Sequence, residues 1–286
     1  MKQTYQDTAN NVYIEAGELN IGSNLKLGKD IDIRVRGKLQ IGDNCIIGDR
    51  LKANAEELII GDYFFNLPTD SRGMTIGGGG SNFPWAKLHI GDKLVCHTGH
   101  INLAKPITIG NDVGLSHDVD LITHGFWGSV LDGYPRSFEG IEIGNNVIVG
   151  WKTIIMSGVK LVNNIVIGSH ATVTKSLLTE HAIYVGTPAK LVKMIEEPTL
   201  TEKIVILNNI IAEFKELISY YDIPDVNIHV EYPSVQINEL FIDVSDLTYT
   251  GTHDTVSDAF RDFIRRYGIK VFAPHGFLFK LKRKEI

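Results

Sequence analysis

Residues 143–173 read IGNNVIVGWKTIIMSGVKLVNNIVIGSHATV. An aliphatic residue returns at every sixth position: Ile143, Val149, Ile155, Leu161, Ile167 and Val173. Four residues after each stands a compact side chain or another aliphatic, namely Val147, Thr153, Val159, Ile165, Ala171 and Leu177. A period of six is neither the 3.6 of a helix nor the bare 2 of a strand, but it contains three strand alternations. Short strands that turn at fixed intervals satisfy it. In a triangular coil each six-residue edge buries its aliphatic anchor, and each coil pairs with the coils above and below. An ordinary β-sandwich has no reason to hold a six-residue register over six steps.

The same register holds at Ile21, Leu27 and Ile33, and again at Ile109, Leu115 and Leu121. An aliphatic-glycine dipeptide recurs from Ile21-Gly22 to Ile167-Gly168. Glycine and Asn/Asp after the anchor suit corners, where unusual dihedrals are needed. Two stretches interrupt the repeat. Residues 62–89 contain Pro68, Gly77-Gly78-Gly79-Gly80 and Pro84-Trp85, and residues 124–140 contain Gly125-Phe126-Trp127 and Gly133-Tyr134-Pro135. Long excursions from a rigid scaffold are where binding and catalytic groups sit. The glycine run lacks a following Lys-Ser/Thr and helix, so it is a loop and not a phosphate-binding P-loop.

After Pro198 the pattern changes, which predicts two domains, 1–198 and 199–286. Thr199-Leu200-Thr201-Glu202 reads as a capping box. Ile204, Leu207, Ile211, Phe214, Ile218 and Tyr221 then form an amphipathic helix stripe. Strands are expected near 226–231 and 235–244, a second helix at about 255–267 ending at Gly268, and further strands at Ile269–Ala273 and Phe277–Leu281. The second part is a small α/β appendage.

Composition narrows the class. The 286 residues carry 28 basic and 34 acidic side chains, a net charge of −6, and 43% are hydrophobic. That is too apolar for disorder, and it lacks the basic excess that binding a phosphate backbone needs. The two cysteines, Cys45 and Cys96, form no disulfide framework and fit a reducing compartment. No run of about 18 apolar residues exists to span a membrane, and the N-terminus has no secretion signal. A soluble, cytoplasmic protein is expected.

On its repeat the chain resembles the hexapeptide-repeat acyltransferases, which include galactoside, maltose and polysaccharide O-acetyltransferases. The resemblance covers roughly residues 13–190 and implies a mainly β fold, a left-handed parallel β-helix. Handedness comes from the resemblance alone, since the usual crossover rule favours the right hand. Family members carry a Thr-His at a loop mouth and then a coil of the form IGNNVxxG, here Thr123-His124 and Ile143–Gly150. The 26 residues from His124 to Gly150 look like the galactoside acetyltransferase spacing. The resemblance implies that His124 is catalytic and takes the proton from the acceptor. An imidazole suits that step because its ordinary pKa lies near working pH.

A second stretch, VTKSLLTEHAIYVGTPAKLVKM at residues 173–194, is similar to the family's terminal signature. By that match Thr174, Lys175, Lys190 and Lys193 contact the pantetheine arm and phosphates of acetyl-CoA, and Trp151 and Ser169 contact the pantetheine. Lysine ammonium groups pair well with phosphate oxygens. There are two departures: Ile148 stands where many relatives carry Trp, and one extra residue separates Lys175 from Gly186. For the acceptor, Thr98, His100 and Asn102 would share one face by strand alternation, where relatives often place polar acceptor-binding groups. Ser116-His117-Asp118 cannot form a catalytic triad with itself, because adjacent strand residues face opposite ways.

The function implied is an acetyl-CoA-dependent O-acetyltransferase acting on a sugar or polysaccharide hydroxyl, with no metal. Alternatives are an N-acetyltransferase on a nucleotide-linked amino sugar, an antibiotic acetyltransferase, a non-catalytic scaffold, and a zinc carbonic-anhydrase-like β-helix drawing on His97, His100, His117 and His124. Relatives pack three prisms side by side. A homotrimer is therefore expected, with His124 from one chain and Lys175, Trp151 and Lys190 from its neighbour. Phe126, Trp127, Tyr134 and Phe138 in the second excursion give it the aromatic surface of an interface.

Overall fold

The computed structural model describes residues 2–68, 72–78, 83–223, 226–277 and 281. The chain divides into two compact units, Met1–Ile195 and Glu196–Ile286.

The first unit is a parallel β-helix. Its interior is one continuous column containing every anchor of the 143–173 repeat, all six buried, and also Ile109, Leu115 and Leu121. Strands stack in register from coil to coil. Ile107–Ile109 pairs in parallel with Ile141–Ile143, and that strand with Lys160–Leu161. Three faces result. The first runs through Gly114–Leu115, Val147–Val149 and Ile165–Ile167. The second runs through Gly99–Asn102, Val119–Leu121 and Ile154–Ile155, and the third through Ile107–Ile109 and Ile141–Ile143. The long strand Ile31–Ile41 joins the second and third faces into one sheet, pairing with Lys52–Ala55 through one half and Glu57–Ile60 through the other.

The glycine after each third-face anchor has a different job from the one the sequence suggests. Gly144 does not take a positive φ; Asn146, two residues on, does, at 52°. A Cβ on Gly144 would lie 2.7 Å from the side-chain oxygen of Asn163 in the next coil. That same oxygen accepts the backbone N–H of Asn145 at 2.8 Å. Asn145 in turn accepts from Asn111, Asn111 from Asp92, and Asp92 from Asp62. Glycine leaves room for this ladder of Asx side chains, each bond contributing about 1 kcal/mol net. Lone asparagines tolerate the left-handed conformation well.

At each end of the helix one stretch of edge is covered by an antiparallel strand. Gln3–Asp7 lies along the first half of Val12–Ile21, and Lys190–Met194 folds back on Ala182–Val185. A paired edge is not a template for aggregation. The first cover stops at Ala16. Ile21 therefore departs from the register of buried anchors: among the described residues no strand lies over it, and it is exposed.

The two interruptions are narrower than the sequence suggests. Within 62–89, Phe65–Asn66, Met74–Gly77 and Lys87–Ile90 are strands paired with neighbouring coils. The alternation of Met74 and Ile76 keeps the coil going between the departures. Gly79 and Gly80, part of the glycine run, lie outside the described residues. Within 124–140, His124–Gly125 pairs antiparallel with Ser137–Phe138, and a 3-10 turn spans Val130–Asp132. This excursion is a short hairpin.

The second unit has its own core. Helix α1 (Leu200–Tyr220) opens on the Thr199–Glu202 capping box and buries Leu207, Ile210, Ile211, Phe214 and Ile218. Ile204, at the start of the expected stripe, is exposed. An antiparallel meander follows in four strands, Ile228–Glu231, Ser234–Ile237, Leu240–Asp243 and Thr248–Gly251. The single strand expected at 235–244 is two, divided at Asn238, whose φ is 52°. Helix α2 (Thr255–Arg265) packs Phe260 against Phe214, with ring centroids 4.9 Å apart. Residues 269–273 form no strand. Val271 is buried, but its carbonyl accepts from the Arg261 guanidinium at 3.2 Å and not from a ladder. The expected strand Phe277–Leu281 falls mostly outside the described residues.

Candidate active site

The corner between the second and third faces carries, coil after coil, Asn102, Thr123-His124, Ser157 and Thr174-Lys175. Backbone bonds fix this stacking: Ile122 N–H donates to Ile155 O at 2.9 Å and Met156 N–H to Val173 O at 3.0 Å. His124 stands where the hairpin excursion leaves the coil.

Asn102 is buried directly behind it. Its side-chain oxygen accepts the backbone N–H of Ala104 at 3.1 Å, so this atom is the amide oxygen and not the nitrogen. The same oxygen lies 2.8 Å from His124 Nδ1 and 2.8 Å from the hydroxyl of Thr123. An oxygen acceptor requires a proton on Nδ1. In the neutral ring the lone pair is therefore on Nε2, the atom a general base uses. Gly78, at φ 96°, makes room for the other side of this amide: a Cβ there would sit 2.2 Å from Asn102 Nδ2. The His124 ring lies 5.5 Å from the centroids of both Phe126 and Phe138, and these two rings stack at 5.3 Å.

Thr98, His100 and Asn102 do not share a face. Ile101 points into the core, so His100 points outward, beside Asp120 and Thr75 in the neighbouring coils. Thr98 is buried at the preceding corner, where its hydroxyl donates to Asp118 at 2.9 Å. The Gly99 φ of 148° and the corner at Asn102 limit alternation to the middle of the strand. Asn102 thus faces His124 from behind.

The residues matched to acetyl-CoA divide among three places. Trp151 and Ser169 occupy the corner between the first and second faces, joined by the Trp151 N–H donating to Ser169 Oγ at 3.2 Å. Trp151 packs edge-on against His170 at 5.5 Å, with the Lys152 ammonium 4.8 Å from its ring centre. His117 and His97 stack at 4.2 Å on the same edge, one and two coils earlier respectively. Thr174 and Lys175 lie on the His124 edge. Lys190 and Lys193 lie on the antiparallel strand that covers the end of the first face, beside Val185 and Ile183. Ile148, at the position where many relatives carry Trp, is exposed on the first face. The full breadth of the second face separates His124 from Trp151 within one chain.

Neither thiol is a candidate nucleophile. Burial pushes the Cys45 thiol up to about 11 and the Cys96 thiol up to about 12. The second unit holds one group able to ligate a metal among the described residues, His253, Asp258 and His275. Arg261, fully buried, donates to Asp258 Oδ1 at 2.9 Å and lies 3.1 Å from His275 Nε2. A fixed guanidinium already neutralises that carboxylate, so the cluster is an ion-pair network that ties α2 to the loop at 271–276.

No protein-family model matches the sequence, and no curated protein matches it. Among solved structures, the polysialic acid O-acetyltransferase OatWY matches with 24% identity over 64% of this chain and 88% of its own, at a TM-score of 0.47. A variant of AntD, an N-acyltransferase from Bacillus cereus in complex with dTDP and coenzyme A, matches with 18% identity over 74% and 99%, at 0.42. Galactoside acetyltransferase in complex with coenzyme A matches with 24% identity over 49% and 65%, at 0.40. The chain is similar to hexapeptide-repeat acetyltransferases. None of the described helices is long and apolar enough to cross a membrane.

Proposed function

We propose that this chain is a left-handed β-helix acetyltransferase that moves the acetyl group of acetyl-CoA onto a sugar or polysaccharide hydroxyl, in the cytoplasm and in the service of polysaccharide biosynthesis. The observation that carries this reading is the Asn102–His124 bond, which directs the lone pair of a loop-mouth imidazole to Nε2. Nε2 accepts the proton of the acceptor hydroxyl as its oxygen attacks the thioester carbonyl. A C–O bond forms, the C–S bond breaks, and the imidazolium returns the proton to the departing coenzyme A thiolate. Lys175, on the same edge, supplies a cation for the coenzyme's phosphates.

The protein works as a homotrimer in this reading. Trp151 and His124 lie on different edges of one prism, so a neighbour's Trp151 edge must approach His124 to complete a pantetheine wall. The hairpin supports such a contact: Trp127 is 98% and Leu131 93% exposed in the single chain, and apolar surface of that kind marks interfaces. The division of residues expected from sequence is redrawn here. Lys175 comes from the chain that supplies His124, and Trp151 and Ser169 come from its partner.

Incubating the protein with acetyl-CoA and a panel of glycans, and following thiol release, tests the reading. Acceptor-dependent release is expected, while no release with any acceptor and no binding of acetyl-CoA would remove it.

A further inference from the structure

We propose that the acceptor is an anionic saccharide, one bearing a carboxylate, and that Arg136 recognises the carboxylate. This rests on the acetyltransferase reading and adds the chemical class of its acceptor. The Arg136 guanidinium lies 4.3 Å from the centre of the Phe138 ring, and Phe138 is 5.5 Å from the His124 ring. The guanidinium is therefore within about 10 Å of the imidazole, a distance that a disaccharide spans. Phe126 and Phe138 form a stacked apolar pair beside His124, and such ring faces receive the C–H face of a pyranose while its hydroxyls stay hydrated.

Charge decides the class. The whole chain is at −6, yet the His124 edge is cationic. Lys105 lies one coil before His124 on this corner, its backbone N–H donating to the Thr123 hydroxyl at 3.1 Å and its ammonium 4.6 Å from the centre of the Trp85 ring. Lys175 lies two coils after it. Among the described residues no carboxylate lies within ion-pair distance of Arg136, Lys105 or Lys175, although most other arginines of this unit are paired, such as Arg34 with Asp32 and Arg36 with Glu56. Lys175 is assigned to coenzyme A, which leaves Arg136 and Lys105 for the acceptor. A guanidinium stacked on an aromatic ring keeps its N–H edge outward, the geometry for a two-pronged grip on a carboxylate. Asp132 and Glu139 are the acidic residues of the hairpin; Glu139 is turned toward Gly158 of the coil below, within 2.6 Å of the site of its missing Cβ.

Trigalacturonate and its methyl ester share ring, length and hydroxyls and differ in charge, so the pair isolates the point. Binding of each to the full chain is measured by calorimetry at low and high salt, with acetyl-CoA binding measured on the same samples. The acid is expected to bind at least about tenfold tighter than the ester at low salt, with the ratio collapsing at high salt. Arg136→Gln should erase the ratio and Arg136→Lys should keep part of it. Equal binding of acid and ester, preference for the ester, or binding of neither while acetyl-CoA still binds would overturn the anionic acceptor and leave the acetyltransferase reading standing. Absence of acetyl-CoA binding would overturn both.

Discussion

The side-chain oxygen of Asn102 lies 2.8 Å from Nδ1 of His124, and the backbone N–H of Ala104 proves that this atom is an oxygen. A residue so placed sets the tautomer of the imidazole from behind, and if His124 is the base it does so without touching the acceptor. Asn102→Ala should lower kcat by about 10- to 100-fold, by analogy with the loss of other outer-shell partners of a functional imidazole. Asn102→Asp should keep the ring in place but hold its proton more tightly, so the acidic limb of the pH–rate profile moves to higher pH. An unchanged profile in Asn102→Asp would reduce Asn102 to a packing residue.

The Asx ladder makes the corners rigid, and its parts can be removed singly. Asn145→Ala leaves the Asn111 N–H without its 2.7 Å partner and should cost about 1–2 kcal/mol. Gly110→Ala should cost at least as much, because the new methyl would sit 2.5 Å from the Asn145 side-chain oxygen and 2.8 Å from the Gly144 backbone. Denaturant titration of the two variants checks this. Stability equal to wild type in Gly110→Ala would show that the glycine is not there for space.

The repeat was legible because burial enforces it: Ile143 to Val173 are anchors of one continuous core, and any polar residue in that series would be buried without a partner. The corner at Asn102 was not legible. Alternation places Thr98, His100 and Asn102 on one face, but it holds only where the strand is straight, and this strand is four residues long between two corners. The partnership of Asn102 with His124 links residues 22 apart across adjacent coils. Its one sequence signal was Asn102 lying one coil before Thr123-His124. The appendage was read least well. Its last strands were inferred from apolar runs such as Ile269–Ala273, and that run instead packs as a loop whose Val271 carbonyl is held by Arg261.

The Arg261 network makes the second unit acid-sensitive. Burial lowers the His253 pKa below its ordinary 6.5, outweighing the pull of Asp258. Burial alone would raise the Asp258 carboxyl, but His275 and Arg261 together hold it below 3.8. Both groups have folded-state values below their unfolded ones, so their contributions are fully present at high pH and fall as pH falls. Stability of this unit should decline below about pH 6.5 as His253 takes up a proton, and again below about 3.8 through Asp258. Chemical shifts of the unit's residues across a denaturant series at pH 7.5, 5.5 and 3.5 would follow this. A transition midpoint that stays constant from pH 7.5 to 5.5 would contradict it.

Subunit sharing predicts complementation. His124→Ala and Trp151→Glu chains, each inactive alone, should recover about a quarter of wild-type activity when refolded together at equal amounts, because one interface in four then joins two intact edges. His124→Ala mixed with Lys175→Glu should recover nothing, because both residues belong to one edge and no chain then carries that edge intact; recovery of about a quarter would instead place Lys175 in a neighbour's site. Mixed His124 and Trp151 variants that stay inactive despite proven subunit exchange would remove the shared site.

The most direct measurement is the steady-state rate of His124→Ala beside its acetyl-CoA affinity by calorimetry. If Nε2 of His124 is the base, kcat falls by about 10²- to 10⁴-fold while the affinity for acetyl-CoA stays within about twofold of wild type. A variant that turns over at the wild-type rate would contradict the account at its centre.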